Sequence, residues 1–249
     1  MLFNSYKNFD DLYFTLNKAV IENPQKYVEA LDLCSAYMPF TLLEIDSPDC
    51  SLDLGELYYT QIKFSRLINT YIDLDKFFDY KNKLKDCKGT SLTYYFNQTK
   101  KQIGNVKNNG PCIISFTLVR KDRSSKWNEM NIYYRTCELG RRFGVDLILF
   151  HVICKELDLP INKIRLIISK PYFSTMTSCG LIKKLGINMD LFTDNPVHNS
   201  IKRQYEIMSR DKLSNYSSRK KIQKIVLDMI ECKSIKIEEL SLWKGGLGL

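Results

Sequence analysis

A long apolar helix set between strands constrains this chain more than any other feature. Leu139, Phe143, Leu147, Phe150, Cys154 and Leu157 step by four, four, three, four and three. That spacing predicts one helix over residues 139–157 with a continuous apolar stripe, ended by Pro160. Upstream, residues 111–119 and 130–136 are rich in β-formers and pair as a hairpin across the charged turn at 120–129. Downstream, residues 164–169 read as a further strand. A hairpin, a long helix and another strand in that order argue for a mixed α/β (α+β) domain.

The flanks are read the same way. Phe9, Leu12, Leu16 and Val20 predict a helix over 8–22 that stops at Asn23-Pro24. Residues 39–45 read as a strand, and 46–55, with Pro48 and Gly55, as a loop. Residues 56–85 are mostly helical in period, with Leu57, Phe64, Leu67 and Ile68 facing inward, and 91–97 read as a strand. Helices are expected near 178–186, 199–212 and 217–232. With no repeat, low-complexity tract or linker, residues 1–249 are expected to form one domain.

Composition narrows the function classes. A hydrophobic content of 44% is ample for a buried core. The balance of 37 basic against 28 acidic residues, net +9, suits anionic partners such as phosphates, nucleotides or nucleic acid, or simply a soluble basic surface. Eight cysteines contain no C-x-x-C pair, and His151 and His198 are the only histidines, so no metal site is expected. The N-terminus lacks an apolar signal segment, and no stretch approaches the roughly 20 apolar residues that span a bilayer. A reducing cytoplasm is expected, host cytoplasm for a viral protein, with most cysteines as small buried hydrophobes.

The chemistry-bearing stretch runs from Gly110-Pro111-Cys112, through the hairpin, to Tyr134-Arg135-Thr136-Cys137-Glu138 and Phe143-Gly144-Val145-Asp146. In order and spacing it resembles the core of the thymidylate synthase and deoxycytidylate (dCMP) hydroxymethylase superfamily, with phage-type members the nearest in kind. There a Pro-Cys strand start precedes an Arg-Ser-x-Asp turn and a helix bearing an asparagine; the eleven residues from Arg135 to Asp146 match the family's offset. The resemblance covers roughly residues 88–175. It implies a thymidylate synthase-like mixed sheet with a long central helix and flanking helices.

The resemblance implies a role for each position. Cys112 is the nucleophile for C6 of a pyrimidine, making C5 electron-rich enough to attack a one-carbon donor. A cysteine is mostly protonated at neutral pH, and Arg135 on the adjacent strand is expected to stabilise the thiolate and bind the nucleotide phosphate. Asp146 stands where the synthases use asparagine to read uracil and the hydroxymethylases use aspartate. An ionised carboxylate accepts from the cytosine 4-amino group and repels the uracil 4-oxygen, which favours cytosine. Glu138 is the acid that orders water and contacts the folate ring, or else a helix-start acid complementing the dipole. Glu56, in Glu56-Leu-Tyr-Tyr59, matches the family's proton-handling glutamate across a shorter chain, or is a solvated helix residue. Tyr172 is a ligand of the sugar 3′-hydroxyl or a core aromatic; Lys88 reaches a dimer partner's phosphate or is solvated. Arg141 and Arg142 read as surface charge, and Trp243 either stacks on a pterin or anchors the tail, whose sequence does not match the family's.

Three functions follow from these residues. The first is a dCMP hydroxymethylase-like transferase, homodimeric, acting on a pyrimidine nucleoside monophosphate with 5,10-methylenetetrahydrofolate. The second is a uridylate methylase or hydroxymethylase, if Asp146 is protonated or turned away. The third is a non-catalytic module binding nucleic acid or protein, and nucleic acid is a partner only on that reading.

Overall fold

The computed structural model describes residues 3–24, 26–30, 33–52, 71–96, 112–140, 142–175, 178–192 and 195–210. Their elements, in order, are β1 (Phe3–Tyr6), α1 (Phe9–Glu22), β2 (Lys26–Ala30), β3 (Leu33–Tyr37), β4 (Thr41–Ile45), α2 (Leu74–Asp86) and β5 (Ser91–Tyr95). Then come β6 (Ile113–Val119), β7 (Glu129–Tyr134), β8 (Cys137–Glu138), α3 (Arg142–Leu157), β9 (Lys163–Ile168), β10 (Pro171–Ser174), α4 (Ser178–Leu185) and α5 (Pro196–Arg210). The fold is mixed α/β, with two mixed sheets. The expected helix at 217–232, Arg141, Glu56 and Trp243 lie outside the described residues.

Six strands form one sheet in the order β1-β4-β9-β7-β6-β5, and four form a second in the order β2-β3-β10-β8. β7 and β9 run parallel, with Tyr134 beside Ile168 at their ends. Three residues later both strands' continuations enter the second sheet, where Cys137 and Glu138 pair in parallel with Pro171 and Tyr172. The crossing is held by the Ser169 amide on the Tyr134 carbonyl (3.0 Å) and the Cys137 amide on the Lys170 carbonyl (3.1 Å). Two neighbouring strands therefore change sheets together, and the sheet end they leave is where β6 begins, next to Cys112.

Alternation along the strands explains the sheet's two faces. Leu43, Ile45, Phe116, Leu118, Met130, Ile132, Tyr134, Ile164, Leu166 and Ile168 are buried on one face. On it, α2 brings Phe77 and Tyr80 against Tyr94 and Phe116 with ring centroids 5.4–5.7 Å apart. α3 adds Phe150, edge-on to Phe96 and Phe116. The opposite face carries the ion pairs Arg165–Glu44, Arg165–Glu129 and Lys163–Glu44 at 2.6–3.2 Å.

Where the sequence predicts the helix to start, the chain forms a turn instead. Leu139 and Gly140 form a turn, and α3 opens at Arg142. The reason is α1: the Tyr13 hydroxyl donates to the Gly140 carbonyl (2.7 Å) and Asn17 Nδ2 to the Leu139 carbonyl (3.2 Å), so both carbonyls are spent outside a helix. Burial also exceeds a single stripe. Every described residue of α3 from Phe143 to Cys154 is buried, Asp146 and His151 included. The sheet, α1 and the loop at Pro48, whose carbonyl meets His151 Nδ1 at 2.8 Å, share its circumference. A helix enclosed on all sides need not be amphipathic. The short strands β1, β2, β3, β8 and β10 are additions to the sequence reading, and the strand expected at 39–45 begins at Thr41.

Among the described residues no helix is long and apolar enough to cross a membrane, and no cluster of His, Cys, Asp and Glu could hold a metal ion.

Candidate active site

Cys112 immediately precedes β6, half-buried, and the adjoining strand fixes its backbone: the Arg135 amide donates to the Cys112 carbonyl at 2.9 Å. The Thr136 hydroxyl lies 3.4 Å from Cys112 Sγ, so a hydroxyl is aimed at the sulfur from the sheet crossing. Tyr71 approaches from the segment before α2, buried, and its hydroxyl shares a hydrogen bond with the Cys112 backbone. The hairpin thus brings Cys112 and Arg135 to the same end, as the sequence implies. The Arg135 side chain itself is exposed.

The cation whose charge couples to the Cys112 sulfur is Arg142. Partial burial opposes its charge, but Cys112, Tyr71, Tyr172 and Glu138, in that order, outweigh burial and raise its pKa, although the side chain keeps exposed surface. Arg142 is exposed, as its reading as surface charge expects, and it is also coupled electrostatically to the Cys112 cluster. A signal was available: Arg142 precedes Asp146 by four residues, one helical turn, so the two share a face of α3. Tyr71 had no such signal, because only the fold carries it to Cys112.

Glu138 is buried, and its Oε2 accepts from the Arg142 amide at 3.1 Å. It caps the start of α3, where a carboxylate also complements the helix dipole. Its charge is felt by Tyr13, Cys137, Arg142 and Asp146. Glu138 therefore does what its structural reading expects while standing in the same cluster as Cys112.

Asp146 is 1% exposed, and its Oδ1 has no hydrogen-bond partner. Burial pushes its carboxyl well above the usual range; Arg142 pulls it down and Glu138 pushes it up further. Burial thus favours the neutral form of Asp146, against the ionised carboxylate that the sequence reading takes. The Tyr134 hydroxyl, likewise sealed and without a partner, has its pKa raised first by burial and next by Asp146. Among the described residues, no group satisfies either of these two buried polar atoms.

The remaining candidates are less central. Tyr172 on β10 is half-buried, tilted against Tyr37 at 6.0 Å, and its charge couples to Arg142. Lys88 is exposed in the link from α2 to β5. Glu56 cannot be set against the geometry, since it lies outside the described residues.

No family model matches the sequence, and no curated protein matches it. What the fold defines is the class of mixed α/β proteins with two mixed sheets around a buried helix.

Proposed function

We propose that this chain is a pyrimidine nucleotide C5 one-carbon transferase, dCMP hydroxymethylase-like, in which Cys112 attacks C6 of cytosine. The observation that carries the reading is the pair of buried, unpartnered groups, Asp146 Oδ1 and the Tyr134 hydroxyl, in the cluster with Cys112. Orphaned polar atoms in a native interior call for a ligand or water, and a base edge supplies donors and acceptors together. Composition offers no such argument; the coincidence with a nucleophile does.

A neutral Asp146, the condition on which the uridylate reading was expected, can pair with either base, so proton transfer and not pairing separates them. The acid's hydroxyl donates to cytosine N3 while its carbonyl oxygen accepts from the 4-amino group. Passing that proton to N3 leaves a carboxylate beside a cytosinium, and the cation makes C6 a better electrophile for the Cys112 sulfur. Uracil reverses both hydrogen bonds, its N3–H donating to the carbonyl oxygen and its 4-oxygen accepting from the hydroxyl, so it cannot take the proton at N3. Arg142 and Thr136 stand ready beside the sulfur, and Tyr172 and Arg135 are the candidates for sugar and phosphate.

Bound methylenetetrahydrofolate would supply a methylene group at the formaldehyde oxidation level. Glu138, the buried acid of the cluster, is the described residue that would contact it. The Cys112 adduct at C6 drives C5 to form the new carbon–carbon bond and lose its proton. The methylene–nitrogen bond to the folate would break, releasing tetrahydrofolate; water would then give a hydroxymethyl product, or hydride from that tetrahydrofolate, oxidised to dihydrofolate, a methyl product, and Cys112 would leave C6. A homodimer belongs to this reading, and sedimentation at micromolar concentration tests it.

The decisive measurement is tritium release from C5-labelled dCMP. Wild type is expected to release label, and Cys112→Ala to do so about a thousandfold more slowly or not at all. Asp146→Asn should lose dCMP turnover and gain dUMP turnover in relative terms. If wild type and Cys112→Ala both leave the label in place with every pyrimidine nucleotide, with and without folate, the reading is lost.

A further inference from the structure

The far end of the β6–β7 hairpin carries a second charged surface, separate from the Cys112 cluster. β6 spans seven residues, so its turn lies roughly 20 Å from Cys112 at about 3.3 Å per residue. In the turn, Lys121, Arg123 and Lys126 are all exposed, as are Lys85 in the last turn of α2 and Lys88 on the link from α2 to β5. None of these five pairs with an acid among the described residues. The nearby acids in the same two segments are Asp86 and Asp122.

The two segments are fastened together, so the charges are held in place instead of trailing. Arg120 Nε and one terminal nitrogen donate to the Gly89 carbonyl at 3.0 and 2.8 Å, and that terminal nitrogen reaches the Cys87 carbonyl at 2.7 Å. Its guanidinium also lies 4.3 Å over the ring of buried Trp127. Asp122 Oδ1 accepts from the Ser124 hydroxyl (2.6 Å) and from the amides of Ser124 and Ser125 (both 2.9 Å), bending the turn on itself. Arg120 is thus a strut and Asp122 a turn staple. The side chains left for a partner are cationic, and no large aromatic is exposed among them to stack on a base.

We propose that this turn is a docking surface for the phosphate backbone of a nucleic acid, read by charge and not by sequence. Fixed, unpaired lysines and arginines replace condensed counterions at a polyanion, and releasing those ions drives binding. A compact acidic protein patch offers fewer, less regular charges, so a nucleic-acid backbone is the better complement. The inference does not rest on the Cys112 reaction.

Fluorescence anisotropy with a labelled 20-base-pair DNA duplex and a single strand of the same length tests it, using the full chain at 50 mM salt and above. The variant K121Q/R123Q/K126Q is expected to bind at least tenfold more weakly and to lower the log–log salt slope by about 2–3. The control K7Q/K18Q/K155Q removes equal charge elsewhere and is expected to change affinity less than threefold. Thermal unfolding and tritium release from dCMP should be the same in both variants as in wild type. Failure of wild type to bind either probe at 50 mM salt overturns the proposal, as does equal weakening by the two triple variants. Stronger binding to polyglutamate than to the nucleic acids overturns it too. Loss of the Cys112 activity alone leaves these outcomes untouched, so the two readings fail separately.

Discussion

At the turn end of the β6–β7 hairpin, Arg120 gives its hydrogen bonds to Cys87 and Gly89, and Asp122 takes them from Ser124 and Ser125. At the Cys112 end, Asp146 Oδ1 and the Tyr134 hydroxyl are sealed from water and, among the described residues, have nothing to bond. The same hairpin therefore finishes its polar groups at one end and leaves them unfinished at the other. Satisfied polar groups hold a shape; a buried unsatisfied group is a standing destabilisation, on the order of 1–3 kcal/mol, that a ligand can relieve. The contrast makes the turn a finished platform that holds its surface charges in place, and the Cys112 end the place where a buried ligand would complete the polar groups, as proposed above. It breaks if substitutions at the two ends behave alike.

The largest expected effect is on the pH dependence of stability. Asp146 in the unfolded chain ionises near the ordinary value, about pH 4, whereas the folded chain holds the proton well above it. Between those two points the folded state binds more protons, so stability falls as pH rises, by up to tenfold in the folding equilibrium per pH unit. Asp146→Asn removes the titrating group and should flatten this limb, so that the variant gains on wild type as pH climbs from 4 toward 7. Urea unfolding across that range measures it. Parallel curves for the two proteins would mean that the carboxyl ionises in the folded state and that the acid is not orphaned.

At the finished end the sign reverses. Arg120→Ala deletes the hydrogen bonds to two carbonyls and the stacking on Trp127, and should destabilise the fold by about 1–3 kcal/mol at neutral pH. Denaturant midpoints provide the check, and a change within about 0.3 kcal/mol would show the strut to be solvated in solution.

Local pattern carried much of this fold and little of its site. The helix period of Phe9, Leu12, Leu16 and Val20 reproduces α1 to within a residue, and Asn8 caps it as an N-cap asparagine should. The hairpin and β9 follow from runs of β-formers in the same way. β1 and β10 escaped because each is four residues long and is paired with strands remote in sequence. The joint crossing of β7 and β9 into a second sheet is a tertiary event with no periodicity to announce it. For the site, family spacing picked out Cys112, Glu138 and Asp146, which the fold gathers with Tyr134 and Cys137. The same spacing points to Arg135, whose backbone meets Cys112 and whose side chain is exposed, while Arg142, read as surface charge, couples electrostatically to the cluster as well. The protonation of Asp146 was illegible for a different reason. It depends on how completely α3 is enclosed, and an apolar stripe sets only a lower bound on that.

The smallest effect is the sharpest comparison. Tyr134→Phe removes one oxygen from a buried ring that packs against Phe143 and Phe150, leaving those ring contacts in place. Deleting a hydroxyl that has a partner leaves that partner stranded; deleting one that has none removes only its own desolvation. Stability should therefore stay level or rise by about 1 kcal/mol, the opposite of Arg120→Ala. The same variant should weaken dCMP binding, measured by protection of Cys112 from iodoacetamide, since the ligand loses a group that waits for it. A clear loss of stability would show that the hydroxyl is satisfied by bound water in the free protein. The Cys112 end would then be finished like the turn, and the argument that its polar groups await a base would have to rest on Asp146 alone.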